Sequence, residues 1–277
     1  VSIRLVTSNV SDAATLSSPD FTAGLPVSNL QLEGRARVAR TANATGTKTI
    51  NGDLAGVSML GACVLYNHNL TSQATWRLRL WDAAGQSGNQ VYDSTTASAL
   101  PALGWGDFQW GAVPWGASVF TGWGTAFSVL WFPAVLARSF RLEVTDPANG
   151  DGYLQAKRLL LGPYFEPQVN IELGLQLYWE DNSVQRRTQG GSLRTDVRTR
   201  YRVLRGQLGH LSDSERAVAV DTMRQIGLRT ETFVSVFPGM GGAQERDYSM
   251  LGKFTSMPQF TNGELFSHQA QLSFEEV

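Results

Sequence analysis

The chain has 277 residues, 42% hydrophobic and 17% charged, with 28 glycines and a formal net charge of −1. That length exceeds what one small core needs and suits two domains of a turn-rich globular protein. The near-zero charge removes any bulk electrostatic case for nucleic acid or an anionic membrane as partner.

The single cysteine, Cys63, excludes an intramolecular disulfide. It lies in the apolar run VSMLGACVLY and reads as a small buried hydrophobe. No apolar run approaches the roughly 18 residues of a membrane helix. The opening VSIRLV lacks the basic start and long apolar core of a signal peptide. The expectation is a soluble chain made in a reducing cytoplasm.

In chain order, residues 1–165 read as short strands between turns. TKTINGDL and VSMLGACVLY are predicted as two strands, the second buried on both faces. ATWRLRLWD alternates, with Trp76, Leu78 and Leu80 on one face and Arg77, Arg79 and Trp81 on the other. RSFRLEVTD repeats the pattern through Phe140, Leu142 and Val144, and QAKRLLLG closes the set. Strands at this spacing predict a β-sandwich. The two prolines of PYFEP, Pro163 and Pro167, mark a domain boundary, giving domains 1–165 and 166–277.

Beyond the boundary come NIELGLQLYWED, SLRTDVRTRYRVLRGQL, one helix, and then TFVSVFP, DYSMLGKF and HQAQLSFEEV. The helix is predicted over 213–226. Ser212 and Glu215 form a capping box, and Gly227 ends it. Val218 or Ala219, with Met223 and Ile226, gives the apolar stripe. The C-terminal part is therefore read as α+β, a sheet or open barrel with one helix packed on it.

Motifs for catalysis are sparse. His68, His210 and His268 lie far apart and lack metal-ligand spacing. His68, at the end of a strongly apolar strand, reads as an imidazole bonding a nearby backbone group rather than a ligand. No G-x-S-x-G elbow occurs. GMGGA, 239–243, resembles a phosphate loop only superficially and reads as a loop tip. TDPANGDGY brings Asp146, Asn149 and Asp151 together, which suits either an ordinary turn or a structural Ca²⁺. No catalytic residue, metal or cofactor is assigned, and the expectation is a protein that is not an enzyme.

RTDVRTRYRVLR is the most basic segment. As a strand it sets Arg198, Arg200 and Arg202 on one face, with Val197, Tyr201 and Val203 on the other. The readings are a solvated face helped by Glu180 and Asp181, or a subunit contact, ahead of nucleic acid.

The segment LGWGDFQWGAVPWGASVFTGWG, 103–124, carries Trp105, Trp110, Trp115 and Trp123, each followed by glycine. Glycine suits a long irregular loop, and long loops tend to be functional. Three readings stand. The indoles pack inward. They stack on sugar rings, with Trp110 and Trp115 as the candidates. Or they anchor a protein interface, which would place Trp105, Trp110, Trp115 and Trp123 beside Arg198, Arg200 and Arg202 as contact residues.

The order GLPVSNLQLEGRARVART, TINGDLAGVSMLGACVLYNHNLTSQATWRLRLWD, the Trp-Gly loop and ARSFRLEVTDPANGDGYLQAKRLLLGPYFEP resembles the galactose-binding-like jelly-roll domain of tail proteins from long-tailed bacteriophages. LYWEDNSVQRRTQGGSLRTDVRTRYRVLRGQLGHLSDSE is similar to their second domain, and DYSMLGKFTSMPQFTNGELFSHQAQLSFEEV to a terminal hairpin of distal tail and tail-tube-like proteins. The resemblance implies a structural virion protein of the tail tip or baseplate. It would form a ring of six or three copies that joins the tail tube to the hub or fibres. It implies other tail proteins as partners, with no specific nucleic acid and no membrane insertion. A carbohydrate-binding module that contacts host polysaccharide is the alternative.

Overall fold

The computed structural model describes residues 2–34, 36–100, 103, 110–111, 117–264 and 267–277. The protein is mainly β and sandwich-like, as its alternation predicts. The N-terminal part is organised by two long antiparallel strands, Thr47–Tyr66 and Phe127–Thr145. TKTINGDL and VSMLGACVLY are thus one strand and not two. Their register against the partner slips between Asp53 and Ser58. This irregularity re-aims the strand while its pairing resumes.

Each long strand consequently serves two neighbourhoods. Asn51–Asp53 pair with Thr15–Ser17, whereas Ala62–Tyr66 pair with Arg158–Gly162. Ser139–Thr145 pair with Thr75–Trp81. The alternating residues Trp76, Leu78, Leu80, Phe140, Leu142 and Val144 all enter the core between these layers. From Leu60 to Tyr66 every residue is buried, because neighbouring structure covers both faces. Gly52 is required there, since a β-carbon would run into the Phe140 ring.

The second sheet has eight strands. Its main path runs Tyr164–Phe165, Arg4–Val6, Thr232–Ser235, Ser249–Phe254, Ser267–Glu276, Arg200–Leu211 and Gln176–Asp181, and Phe260–Glu264 adds to Ser267–Glu276. The path has two ends, so among the described residues the sheet is open and not a closed barrel. Its second strand comes from the extreme N-terminus, and Leu5 pairs with both Phe165 and Val234. The strand therefore crosses the boundary drawn at 165/166.

The helix Asp213–Ile226 has the predicted capping box at Ser212 and Glu215. Ala219, Met223 and Ile226 are buried, whereas Val218 faces solvent, which resolves the stripe in favour of Ala219. These residues pack with Leu5, Val234 and Met250 on one face of the sheet. Phe233 and Leu251, one position away on the same two strands, join the sandwich core instead. Because strand side chains alternate, this one sheet is the middle layer between helix and sandwich.

A second, short helix, Gly242–Asp247, corrects the expectation of a single helix. It follows the GMGG stretch, where Gly239, Gly241 and Gly242 all have positive φ. Among the described residues no helix is long and apolar enough to cross a membrane.

Candidate functional site

The arginine strand divides rather than presenting one face. Arg198 and Arg200 are exposed and make surface ion pairs with Asp196 and Asp181, both at 3.2 Å. Such pairs contribute little on their own. Arg202 is 1% exposed, which corrects the expectation that it shares their outward face. Its guanidinium grips Glu276 through Nε at 3.0 Å and Nη2 at 2.6 Å, and Nη1 donates to the carbonyls of Arg246 and Asp247. Tyr66 donates its hydroxyl to the same carboxylate. Burial alone would raise the Glu276 pKa, but Arg202's hydrogen bonds and charge outweigh it and hold the carboxyl below its usual range. Arg202 thereby ties the last strand to the 246–247 backbone, and Tyr66 carries the link from Glu276 to the sandwich.

Above this pair sits an aromatic platform. Trp123 is half-buried and meets Trp179 edge-on, with centroids 5.8 Å apart. The Arg246 guanidinium lies 4.0 Å from the Trp123 ring centroid, and that of Arg202 lies 5.7 Å away. Arg246 also donates to the Val119 carbonyl at 2.5 Å, which anchors the end of the Trp-Gly segment. Trp123 is thus held intramolecularly. Trp110 is 76% exposed. Trp105 and Trp115 lie outside the described residues. Trp179 and Arg246 were not singled out from sequence. Nothing local in the sequence pairs Trp179 with Trp123, because they come from different elements.

Trp179 is 51% exposed on Gln176–Asp181, the last strand of the sheet's main path. Among the described residues, that strand pairs only with Arg200–Leu211. The chain then makes a hairpin, Val184–Arg187 with Leu193–Asp196, which forms a separate two-stranded sheet. Nearly every residue of it is exposed. Arg186 stands directly opposite Arg194. Like charges in directly opposed positions destabilise a hairpin, and an isolated hairpin is marginal in water.

The remaining motifs have internal partners. His68 is buried. Its Nδ1 accepts from the Leu70 N–H at 3.3 Å, so the neutral ring carries its proton on Nε2, which donates to Ser128 Oγ at 2.8 Å. A ring in this tautomer cannot take the Ser128 proton, so the pair is not a nucleophile and base. Burial pushes the His68 pKa from 6.5 down to about 3. Below pH 6.5 the unfolded chain takes up a proton that the folded chain refuses. This contribution to stability is full above that pH and is lost as pH falls toward 3. His68→Gln should therefore flatten the acid side of a plot of Tm against pH. Superimposable curves for variant and wild type would refute this.

The Gly239 and Gly241 N–H groups donate to the Glu245 carboxylate at 3.0 and 2.8 Å, so the glycine loop's donors are spent on its own side chain. Asp146 is fully buried and accepts from the Thr71 N–H and hydroxyl, while Asp151 accepts from Asn69. The TDPANGDGY carboxylates thus brace the loop that follows His68. Among the described residues no three His, Cys, Asp or Glu side chains gather as metal ligands. Burial raises the Cys63 thiol to about 12, which keeps it protonated and unreactive.

A cleft of about 530 Å³ opens between the sandwich and the C-terminal sheet. The sandwich contributes Phe120, Phe127 and Trp131, and the other side contributes Arg4, Glu245 and Arg246. Sequence alone gave no signal for Arg4 or Trp131, because they come from strands 127 positions apart.

No family model and no curated protein matches the chain. Among solved structures it is similar to chitosan-binding module 1 of a chitosanase/glucanase from Paenibacillus sp. IK-5, with a TM-score of 0.39 and 14% identity, over 56% of this chain and 99% of that one. A Clostridium perfringens module in complex with GalNAc-β-1,3-galactose gives 0.38 and 10%, over 56% and 100% of the two chains. The family 32 carbohydrate-binding module of C. perfringens NanJ, in complex with galactose, gives 0.38 and 9%, over 58% and 98%.

Proposed function

We propose that the protein is a structural subunit that assembles through its C-terminal sheet, as part of the tail tip or baseplate of a long-tailed bacteriophage, without a catalytic role. The observation that carries the reading is the exposed hairpin Val184–Asp196, which follows directly on the end strand Gln176–Asp181 of the open sheet and opposes Arg186 to Arg194. An unpaired edge is a template for another chain, and the arginine pair is relieved by an acidic surface. The half-exposed Trp179 beside the hairpin is the kind of residue that anchors such contacts. The phage setting rests on the sequence resemblance. In this reading the hairpin and edge of each copy contact the next in a closed ring.

Light scattering of the purified chain tests it. Wild type is expected at a multiple of the chain mass. R186E/R194E and Trp179→Ala should lower that mass while circular dichroism stays unchanged. A wild type that remains monomeric at its highest soluble concentration overturns self-assembly through this arm.

The second reading is carbohydrate binding. The aromatic-walled cleft favours it, and so does the exposed indole of Trp110.

A further inference from the structure

We propose that the cleft between the sandwich and the C-terminal sheet is a binding site for a neutral oligosaccharide segment. The inference rests on the carbohydrate reading and moves it away from the Trp-Gly loop to Arg4 and Trp131.

The cleft's volume of about 530 Å³ falls within the usual range for small-molecule sites, and such sites favour the junction of two packed units. Phe120, Phe127 and Trp131 give it an apolar wall on which the C–H face of a sugar ring packs. Trp131 is held in place edge-on to Tyr164, with centroids 5.4 Å apart. Arg4 lies over both rings, 5.4 Å from Trp131 and 4.8 Å from Tyr164, so its guanidinium is fixed before any ligand arrives. Preorganisation of this kind removes an ordering penalty from binding.

The polar groups define the ligand's charge. Arg4 Nε lies 3.1 Å from a Glu166 oxygen, and Arg246 lies 2.7 Å from Asp247. Glu245 is engaged by two backbone N–H groups. Each charge at the cleft is therefore already compensated. An anionic ligand gains no free cation, whereas hydroxyl groups gain both donors and acceptors. Arg4 Nε and Trp131 Nε1 are buried and make no hydrogen bond among the described residues, but they have no surface open to the cleft, so recognition rests on the aromatic wall.

The test titrates the full chain with cellotetraose, maltotetraose and lactose, and with tetragalacturonate as the anionic control, by calorimetry and tryptophan fluorescence. Trp131→Ala removes the wall. Because that residue also packs in the core, Ser98→Trp is the companion variant, since Ser98 lines the cleft and is exposed. The expected result is binding of at least one neutral probe with Kd of about 1 mM or tighter, weakened about tenfold or more by Ser98→Trp. Tetragalacturonate should bind no better than the neutral probes. No binding of any neutral probe, or preferential binding of the anionic one, overturns the proposal. Neutral binding that survives Ser98→Trp but is lost in Trp110→Ala also overturns it, and leaves the carbohydrate reading standing at a different site.

Discussion

Arg202→Ala is expected to destabilise the fold by about 3–5 kcal/mol, the usual effect of removing one partner from a buried ion pair. The reason is what remains behind. Glu276 keeps a carboxylate whose side chain is 10% exposed, with Tyr66 as its other side-chain hydrogen-bond partner. The Arg246 and Asp247 carbonyls lose their donor as well. Replacing both partners, as in R202M/E276L, should recover most of the loss, because two apolar groups leave no charge to desolvate. The pH dependence has a defined sign. The folded Glu276 pKa lies below its ordinary 4.5, so the pair's contribution is full above that value and fades as pH falls through the folded value. Arg202→Ala should therefore lose less additional stability on acidification than wild type. Urea denaturation at two pH values measures both effects. A loss below about 1 kcal/mol at neutral pH would place Arg202 among ordinary surface pairs and refute the assignment.

Phe233→Ala is the second large effect, also about 3–5 kcal/mol for a fully buried aromatic. Phe233 is 0% exposed, and its ring meets Phe127 at 5.2 Å and Trp131 at 6.3 Å. It projects from a strand of the C-terminal sheet into the sandwich core, whereas its neighbour Val234 faces the helix. Truncating Phe233 should loosen the junction between the layers and broaden or split the denaturation transition. Val234→Ala should lower stability without separating them. A Phe233→Ala variant that unfolds in one sharp transition, with a loss under about 1 kcal/mol, would show that the layers are not coupled through this residue.

Local signals read well in this chain. Period-two alternation in ATWRLRLWD and RSFRLEVTD correctly named the buried face, because a strand's side chains alternate wherever its partner lies. The SDSE capping box set the start of the helix, since its hydrogen bonds close within four residues. The satisfied state of His68 was also legible, because an imidazole at the end of an apolar strand must find partners or stay neutral.

Partner choice was not legible. The same alternating pattern marks Arg200 and Arg202, yet one faces solvent and the other is buried against Glu276, 74 residues away in sequence. TKTINGDL and VSMLGACVLY are predicted as two strands, but a continuous partner strand carries them, with Ala55 and Gly56 between, through as one. The site itself lay furthest from view. Arg4 meets Trp131, and Trp123 meets Trp179, only because the N-terminal strand inserts beside Thr232–Ser235 and an arginine stacks between elements. By itself the sequence determined which residues seek burial and where the main helix begins, since hydrophobic period and capping act over a few residues. Only the tertiary structure decided which strands pair, which arginine is buried and where the cleft opens, since strand pairing is non-local and a residue's face does not name its neighbour.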